Sequence, residues 1–493
     1  MMHDSRSLFS TTCRIRRAGR CFAAVFGLTA AGLVVPALTL QAAEHDAASE
    51  GKEVSTSAWP QFRGPFGNGI VSPLRHPSIW SEAENLAWKV TMNGAGWSSP
   101  VVADGRVFLS SAESDAEDKP KDMSSGSWSP MSFGLGSKKP PSENRRFTVS
   151  SFDLQSGKPV WRTVVADTRP GLAKHPSNTY ATESPVTDGK HVVAFFGACG
   201  KLACLDGTDG RVLWDRDFPV HKMSAGFGTG SSLLIHDGKV YVQRCNDEAS
   251  GLHVLRVSDG SEIWSAELPG TTSWSTPYLW RTSYRNEVII GGSGSLTAYE
   301  PGGGEQLWRV TGIPASFTAS PVADGDRLIF GVNSPFTTSP MYALRAGASG
   351  EISARPAEVE DPDNRPADVS WFMPQSAIGM ASPVVAHGLV YVPCGSGKLR
   401  VIDARTGDEV FRARLPQGKQ LVASPWTGNG KVFLLDEEGK TFVIRVGRTF
   451  ELERVNRIDD TFWSTPAVAG ANLLLRGVNA LYCIREKSDS KEG

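Results

Sequence analysis

Residues 382–411 read SPVVAHGLVYVPCGSGKLRVIDARTGDEVF and contain one complete structural unit. A Ser-Pro pair opens the stretch, and the dipeptide His387-Gly388 separates two short apolar runs. Such dipeptides tolerate positive φ angles and therefore close two-residue β-hairpins. A third run follows, and a turn that ends at Gly407 leads to a last strand carrying Phe411. The stretch therefore predicts four short antiparallel strands joined by tight turns.

The same order of signals recurs along the chain, and Ser231-Ser232 fills one position without a proline. Most units are 41 to 47 residues apart, which is the length of a four-stranded propeller blade, and two longer spacings contain insertions. Eight units predict an eight-bladed β-propeller. The seven hydroxyl-proline pairs are Ser99-Pro100, Ser184-Pro185, Thr276-Pro277, Ser320-Pro321, Ser382-Pro383, Ser424-Pro425 and Thr465-Pro466.

An aromatic residue follows the second turn at the same place in five units. Because alternate residues of a strand share one face, we expect these rings on the same face of each fourth strand. They are predicted to pack between neighbouring blades as core residues, not to serve as ligand platforms. The five residues are Trp161, Trp214, Trp264, Trp308 and Phe411.

The two ends of the repeat region predict how the ring closes. The last unit starts at Thr465 and lacks a fourth strand, whereas residues 85–90 look like an unpaired fourth strand with Trp88 as its aromatic residue. Pairing the two would remove both open sheet edges. The predicted fold class is all-β, with eight four-stranded antiparallel blades over residues 86–485 and the last blade completed by the N-terminal strand.

Two insertions interrupt the repeats. Residues 112–146 separate the second and third strands of blade 1 and are rich in Ser, Lys, Pro and Gly. We expect them to form a loop on the face that carries the blade-to-blade connections. Residues 346–368 lengthen the turn between the third and fourth strands of blade 5, on the opposite face. Outside the propeller, residues 44–85 form an N-terminal extension and residues 486–493 a disordered tail.

The first 43 residues have the features of a targeting segment. Four arginines precede a nearly uncharged apolar run from Cys21 to Leu40, and the small residues Ala42-Ala43 offer a cleavage site. This pattern predicts a cleaved secretory signal peptide and a periplasmic or extracellular location. The alternative is an uncleaved anchor, because the run is about 20 residues long, although Pro36 interrupts it.

Charge and cysteine content restrict the partners. The chain has 51 basic and 52 acidic residues, so it has no excess of positive charge for phosphates, and nucleic acid is not expected as a partner. Five cysteines follow the first 43 residues, and an odd, sparse set does not form a disulfide scaffold. Either Cys199 and Cys204 form a disulfide within one hairpin, or all five are small hydrophobic residues. We favour the second interpretation.

The units resemble the pyrroloquinoline quinone (PQQ)-type propeller repeat, whose consensus approximates Ala-x-Asp-x-x-Thr-Gly-x-x-x-Trp. Residues 203–214, ACLDGTDGRVLW, carry the likeness best, and it extends over residues 86–485. Residues 59–65, WPQFRGP, also resemble the opening of exported planctomycete-type members. The resemblance implies a fold similar to the propeller lipoprotein of outer-membrane assembly and to quinoprotein alcohol dehydrogenases.

PQQ is the cofactor that this resemblance implies, but no specific residue supports it. The dehydrogenases carry an adjacent Cys-Cys pair, a calcium or lanthanide site and a catalytic Asp. The chain contains no Cys-Cys pair and no Cys-x-x-Cys-His motif for haem. It also lacks the Gly-x-Ser-x-Gly and His-Glu-x-x-His motifs of hydrolases. We therefore predict no catalytic residue and no metal ligand.

A recurrent tryptophan suggests a binding site. It precedes the innermost strand by three residues and would lie where the central channel opens on the connection face. These rings could bind a planar ligand or a peptide side chain, or they could plug the channel or pack beneath the loops. Arg63 is a separate candidate, either for a ligand contact or for a structural salt bridge. The channel-mouth candidates are Trp97, Trp274, Trp463, Phe317 and Met380.

Complete blades without a catalytic set favour an exported, non-catalytic module that binds a protein or a small ligand at one propeller face. We expect a monomer, with peripheral membrane association as a further option. The alternative is a PQQ-dependent alcohol or sugar dehydrogenase. A third option, a hydrolase or lyase, has no residues in its favour, because fold alone does not decide function.

Overall fold

The computed structural model describes residues 57–115, 120, 139–333, 339–363 and 365–486, all within the compact unit Val54–Gly493. The predicted signal peptide, most of the blade 1 insertion and the end of the predicted tail lie outside the described residues. Strands dominate these ranges, and the helical segments in them are a 3-10 turn, Ser224–Gly226, and the four-residue helix α1 (Pro356–Val359). No described helix has the length and apolarity needed to cross a membrane.

The strands form eight sheets, and the eight-bladed β-propeller of four-stranded antiparallel blades is confirmed. The first four blades, each given from the innermost to the outermost strand, are as follows: blade 1, β2 (Val101–Ala103), β3 (Arg106–Glu113), β4 (Arg145–Asp153) and β5 (Pro159–Thr168); blade 2, β6 (Val186–Thr187), β7 (His191–Phe196), β8 (Lys201–Asp206) and β9 (Val212–Asp217); blade 3, β10 (Leu234–His236), β11 (Lys239–Arg244), β12 (Gly251–Arg256) and β13 (Glu262–Glu267); blade 4, β14 (Tyr278–Arg281), β15 (Asn286–Gly292), β16 (Ser295–Tyr299) and β17 (Gln306–Thr311).

The remaining blades follow the same order: blade 5, β18 (Val322–Asp324), β19 (Arg327–Gly331), β20 (Met341–Arg345) and β22 (Val369–Met373); blade 6, β23 (Val384–Ala386), β24 (Leu389–Cys394), β25 (Lys398–Asp403) and β26 (Glu409–Arg414); blade 7, β27 (Trp426–Gly428), β28 (Lys431–Leu435), β29 (Lys440–Arg445) and β30 (Leu452–Arg457); blade 8, β31 (Ala467–Ala469), β32 (Asn472–Arg476), β33 (Ala480–Ile484) and β1 (Leu86–Thr91). In blade 8, β1 pairs antiparallel with β33 and places Trp88 opposite Cys483.

The insertion regions differ in detail from the expectation. In blade 1, β3 reaches Glu113 and β4 begins at Arg145, so both strands extend into the range expected to be a loop. The segment between β20 and β22 contains α1 and a strand, β21 (Gly350–Ser353). This strand pairs parallel with β17, so it adds a fifth strand to the outer edge of blade 4. The outer edge of β17 is thereby paired, and β21 becomes the outermost strand of this sheet.

Tight turns join the inner two strands of the blades, as the dipeptides predict. Asp104 and Gly105 have φ angles of 48° and 72°, and His387 and Gly388 have 48° and 71°. Positive φ at both positions is the requirement of a type I′ turn, whose twist matches that of the flanking strands. The two-residue hairpin therefore follows directly from the local sequence.

Each of five tryptophans docks on a glycine turn of the next blade. The Nε1 of Trp214 donates to the carbonyl oxygen of Val257 at 2.8 Å. A β-carbon on Gly260 would lie 2.7 Å from the same indole, so only glycine fits beneath it. Among the five predicted fourth-strand rings, this docking between blades is confirmed for Trp161, Trp214 and Trp264. The docking pairs are Trp88/Gly157, Trp161/Gly210, Trp214/Gly260, Trp264/Gly304 and Trp371/Gly407.

The segment of residues 59–71, called the plug below, crosses the propeller at its centre. Trp59 forms a β-bridge with Val102 of blade 1, and the carbonyl oxygen of Pro60 accepts from the N–H of Thr187 in blade 2 at 2.9 Å. Farther along, Val71 donates to the carbonyl oxygen of Thr427 in blade 7 at 2.8 Å. Between these contacts, the side-chain oxygen of Gln61 accepts from the N–H of Ile235 in blade 3 at 3.0 Å. Blades 3 and 7 stand opposite each other in the ring of eight, so the plug crosses the channel axis.

Candidate functional site

The hydroxyl residues of the repeated pairs form a ring around the central channel. The N–H of Ser99 donates to Oγ of Ser184 at 2.8 Å, and the N–H of Ser184 donates to Oγ of Ser232 at 3.0 Å. Seven such links, each between 2.8 and 3.1 Å, join successive blades within the described ranges. The eight ring residues, which all line one cavity, are Ser99, Ser184, Ser232, Thr276, Ser320, Ser382, Ser424 and Thr465.

Each ring oxygen from Ser184 onward accepts a backbone N–H, so its own proton remains available as a donor. The plug and the tryptophans lie on opposite sides of this ring. In blade 1, Val102, which pairs with the plug, follows Ser99, whereas Trp97 precedes it. The cavity has a volume of about 350 Å³, and Phe62 of the plug contributes to its lining. The plug therefore covers one end of the channel, and the aromatic residues surround the other.

The mouth of this cavity is built from aromatic rings. The rings of Trp97 and Trp463 stack with centroids 5.7 Å apart and planes inclined by 21°. Across the mouth, Trp274 contacts the edge of Phe227 at a centroid distance of 6.0 Å. The Nε1 of Trp97 donates to the carbonyl oxygen of Ser177 at 2.8 Å. These contacts fix the rings in place at the wall of the cavity.

The structure brings together four of the five predicted mouth residues. Trp97, Trp274, Trp463 and Met380 line the cavity. Phe317 does not: its side chain is fully buried and contacts Phe330 at a centroid distance of 6.2 Å.

Thr318 takes the position predicted for Phe317 because it stands three residues before the pair's proline, as the tryptophans do, whereas Phe317 stands four before. Successive residues of an extended chain point to opposite sides, so one residue of offset turns the phenyl ring into the core.

Several lining residues were not predicted. Those in the loops could not be located because the loops lack a repeat pattern. The eight ring residues could have been located, because the hydroxyl-proline pairs mark seven of their positions in the sequence. Asn178 holds two loops together, because its Nδ2 donates to the carbonyl oxygens of Phe227 and Thr229 at 2.8 and 3.2 Å. The unpredicted residues outside the ring include Phe62, His175, Ser177, Asn178, Phe227 and Asn333.

The lining is electrically neutral. None of the described residues that line the cavity is Asp, Glu, Lys or Arg. Its histidine, His175, accepts at Nδ1 from the hydroxyl of Ser177 at 2.6 Å and from the N–H of Ser177 at 3.2 Å, and burial lowers the pKa of His175. Since the lowered pKa favours the uncharged imidazole, the wall presents hydroxyls, amides and aromatic faces at neutral pH.

This lining does not fit PQQ. The cofactor carries three carboxylates and, in the dehydrogenases that the repeat resembles, sits beside a calcium or lanthanide ion. Tight binding would need cationic partners for the carboxylates and carboxylate ligands for the cation, and the described lining offers neither. Within the described ranges, no group of three or more His, Cys, Asp or Glu side chains is placed to hold a metal ion.

Two buried arginines support the fold instead of facing the cavity. Arg63 of the plug donates to the carbonyl oxygens of Asn68, at 3.0 Å, and of Pro383. Arg476 donates to the carbonyl oxygen of Ser110 at 2.8 Å and to Oγ of Ser111 at 2.8 Å. Neither arginine has an acidic partner in these contacts, so the salt bridge considered for Arg63 is replaced by main-chain contacts.

A smaller cavity of about 40 Å³ lies beside the first and shares Thr229 and Gly230 with it. Glu183 lines it, fully buried, and burial raises the pKa of this carboxyl to about 6. Its Oε1 accepts from the N–H of Gly197 at 3.3 Å, whereas Oε2 has no hydrogen-bond partner among the described residues.

The cysteines carry no disulfide in the part of the chain that is described. Cys199 and Cys204 are both free, as are Cys245, Cys394 and Cys483. Burial raises the pKa of the Cys204 thiol to about 12, which keeps it protonated and unreactive. The interpretation of the five as small hydrophobic residues agrees with this arrangement.

A model of a known protein family matches the repeat region of the chain. The family model described as outer membrane protein assembly factor BamB matches residues 145–334 and residues 288–490, well over half of the chain. The chain belongs to the BamB family. The resemblance to PQQ-type repeats is thereby confirmed, and the hydroxyl ring and the plug are features of this BamB-family propeller.

Curated relatives carry the same family name at low identity. The BamB of Moranella endobia is 23% identical over 259 residues, which cover 50% of this chain and 62% of that protein. The BamB of Yersinia pestis is 22% identical over 260 residues, or 50% of this chain and 61% of that protein. The chain thus matches about three fifths of the length of these BamB relatives.

Solved structures confirm the fold of this BamB-family chain. The quinohemoprotein alcohol dehydrogenase of Comamonas testosteroni superposes with a TM-score of 0.55 at 11% identity, over 89% of this chain and 82% of that one. A europium-containing methanol dehydrogenase gives a TM-score of 0.57 at 12% identity, over 87% and 91%. At such identities the likeness concerns the propeller architecture.

Proposed function

We propose that this BamB-family chain is an exported, non-catalytic binding module whose binding site is the channel mouth. The observation that carries the proposal is the cavity of about 350 Å³, walled by tryptophan faces and a ring of hydroxyls. Its volume falls within the range of ligand pockets, roughly 300–1,000 Å³. The described wall contains no pair of ionisable groups that could exchange protons with a substrate, which favours binding over acid–base chemistry.

Export rests on the N-terminal sequence, whose charged, apolar and small-residue regions follow the order of a signal peptide. The relatives named for outer membrane protein assembly support a periplasmic setting and a protein partner as a second candidate ligand. A partner could insert a side chain or loop into the mouth while resting on the surrounding connections. We expect the module to act as a monomer. It would be peripherally associated with a membrane if its partner is a membrane protein.

A thermal-shift experiment on the purified protein tests this proposal. Neutral small molecules, short peptides, and PQQ with Ca²⁺ are added in separate assays. A ligand present at 100 times its Kd stabilises the folded state by about 2.7 kcal/mol, which is readily measured. We expect at least one neutral compound or peptide to raise the Tm of the wild type and to give a clearly smaller rise in Tm with Trp274→Ala.

The matched control is Tyr284→Ala, which removes a 70% exposed aromatic side chain from blade 4 outside the cavity lining. This variant should respond to ligand like the wild type. A ligand-induced rise in Tm as large in Trp274→Ala as in the wild type would contradict a site at the mouth. A stoichiometric quinone absorbance band with dye-linked alcohol oxidation would overturn the non-catalytic assignment.

A further inference from the structure

The indole nitrogens at the channel mouth are already occupied by the protein. The Nε1 of Trp274 donates to the carbonyl oxygen of Gly228 at 2.8 Å, and the Nε1 of Trp97 donates to the carbonyl oxygen of Ser177. A ligand therefore meets the faces and carbon-bound edges of these rings, not their N–H groups. Such surfaces pack against flat, weakly polar faces of a ligand.

Polar groups below the rings complement this apolar rim. Seven ring oxygens are held as acceptors of backbone N–H groups, so their hydroxyl protons can be donated into the cavity. The buried Oγ1 of Thr318, which also lines the cavity, has no hydrogen-bond partner within the described ranges. An occupant of this wall needs several oxygen atoms that exchange hydrogen bonds with hydroxyls.

Charge and backbone geometry narrow the class of occupant. An anion would lack a cation, and a cation would lack a carboxylate, among the described lining residues. A peptide added as a strand needs free backbone N–H groups on the channel edge. At the level of the ring, seven of these N–H groups are engaged by neighbouring hydroxyls, so that edge cannot accept a strand.

We infer that the channel mouth binds a neutral saccharide of one or two sugar rings, an inference that rests on the proposed function. A pyranose has an apolar face of C–H groups, which would stack on Trp274 or on the Trp97–Trp463 pair. Its hydroxyl and ring oxygens would exchange hydrogen bonds with the ring hydroxyls and Thr318. A neutral sugar leaves no buried charge unpaired, which matches the uncharged wall.

Isothermal titration of the purified protein with cellobiose and maltose tests the inference, and digalacturonate serves as the charged counterpart. At least one neutral disaccharide should bind, and digalacturonate should bind at least tenfold more weakly. Trp274→Ala should weaken the neutral sugar about tenfold through the lost stacking surface. Trp274→Phe retains a ring and should stay within about threefold of the wild type.

Thr318→Val separates hydrogen bonding from stacking, because it removes the hydroxyl and keeps the side-chain shape. It should weaken the sugar about three- to tenfold. Binding of neither disaccharide, or equal binding of digalacturonate, would overturn the inference. The proposed function would survive this failure if a peptide or another neutral compound gave Trp274-dependent stabilisation. Absence of any Trp274-dependent ligand would overturn both.

Discussion

The N–H of Ser99 donates a 2.8 Å hydrogen bond to Oγ of Ser184, the residue at the same place in the next blade. This link explains the hydroxyl in the repeated pair. The position at the channel edge also explains the proline that follows, because proline lacks a backbone N–H that would otherwise need a hydrogen-bond partner there. The repeat that identifies the fold in the sequence is therefore the one that connects the blades around the axis.

Replacing Ser184 by Ala should destabilise the propeller by about 1–3 kcal/mol, since the buried N–H of Ser99 would lose its acceptor. Urea unfolding, followed by tryptophan fluorescence, measures the change. Ser184→Thr is the matched control, because threonine already serves at two ring positions, Thr276 and Thr465. Equal losses in both variants would show that packing, not the hydroxyl, carries the link.

The fold was predictable because its signals are local and repeated. Turn dipeptides such as His387-Gly388 and the hydroxyl-proline pairs determine their own geometry within a few residues. Trp371 was not predicted as a ring that packs between blades, because no glycine stands four residues before it and an inserted strand, β21, precedes it. The plug was not predicted, because Trp59 and Val71 pair with strands of separate blades and no periodic sequence pattern indicates these contacts.

The candidate site was predictable only where the repeat spacing holds. Trp274 stands three residues before its proline and lines the cavity, whereas Phe317, one position earlier, is buried in the core. Loop residues such as Asn178 reach the mouth through tertiary hydrogen bonds to Phe227 and Thr229. Such contacts depend on the assembled ring, so sequence spacing could not locate them.

Gly260→Ala should destabilise the protein more than Gly238→Ala. Both glycines have φ near +70°, so each substitution costs roughly 1–2 kcal/mol in backbone strain. At Gly260 the added methyl would also lie 2.7 Å from the indole of Trp214, whereas nothing lies within 4 Å at Gly238. Overpacking should add about 1–3 kcal/mol to the loss at Gly260. Chemical denaturation of the two variants compares them, and equal losses would contradict the docking role of Trp214.

Arg476→Lys should cost about 2–4 kcal/mol, although the charge is kept. The guanidinium of Arg476 bridges blades 8 and 1 by reaching Ser98, Ser110 and Ser111 from one planar group. A lysine ammonium is a point donor that cannot reproduce this set and would leave buried carbonyl oxygens unpaired. Urea unfolding measures the loss. The exposed Arg256→Lys should stay within about 0.5 kcal/mol of the wild type, and an equally small effect at Arg476 would refute the bridge.

Glu183→Gln should stabilise the protein at pH 8 by about 2 kcal/mol and leave it nearly unchanged at pH 4. Burial raises the pKa of Glu183 to about 6, above its unfolded value of 4.5. The folded state thus binds more protons between these values, and its stability falls as the pH rises from 4.5 through 6. Glutamine removes this dependence. Unfolding midpoints at pH 4, 6 and 8 measure it, and the exposed Glu305→Gln should show no such gain.

His76 should give the opposite pH dependence. Its Nε2 accepts from the indole N–H of Trp426 at 3.0 Å, so the neutral ring carries its proton on Nδ1, 2.7 Å from the carbonyl oxygen of Pro77. Burial lowers the pKa of His76 to about 4 from 6.5, so the unfolded chain binds more protons in this interval. Stability is therefore present above pH 6.5 and is lost, by about 3 kcal/mol, as the pH falls through 4.

The contributions of His76 and Glu183 oppose each other between about pH 4.5 and 6, so the wild type should show a shallow net slope there. Glu183→Gln should expose the His76 dependence as a steep rise of stability with pH. His76→Leu should expose the Glu183 dependence as a fall, at a constant cost from the lost Trp426 contact. The two residues share no hydrogen-bond partner, so the double variant should be additive and nearly flat. Urea midpoints measured at half-unit steps from pH 4 to 7 give all four curves, and parallel slopes in the two single variants would refute the assignment.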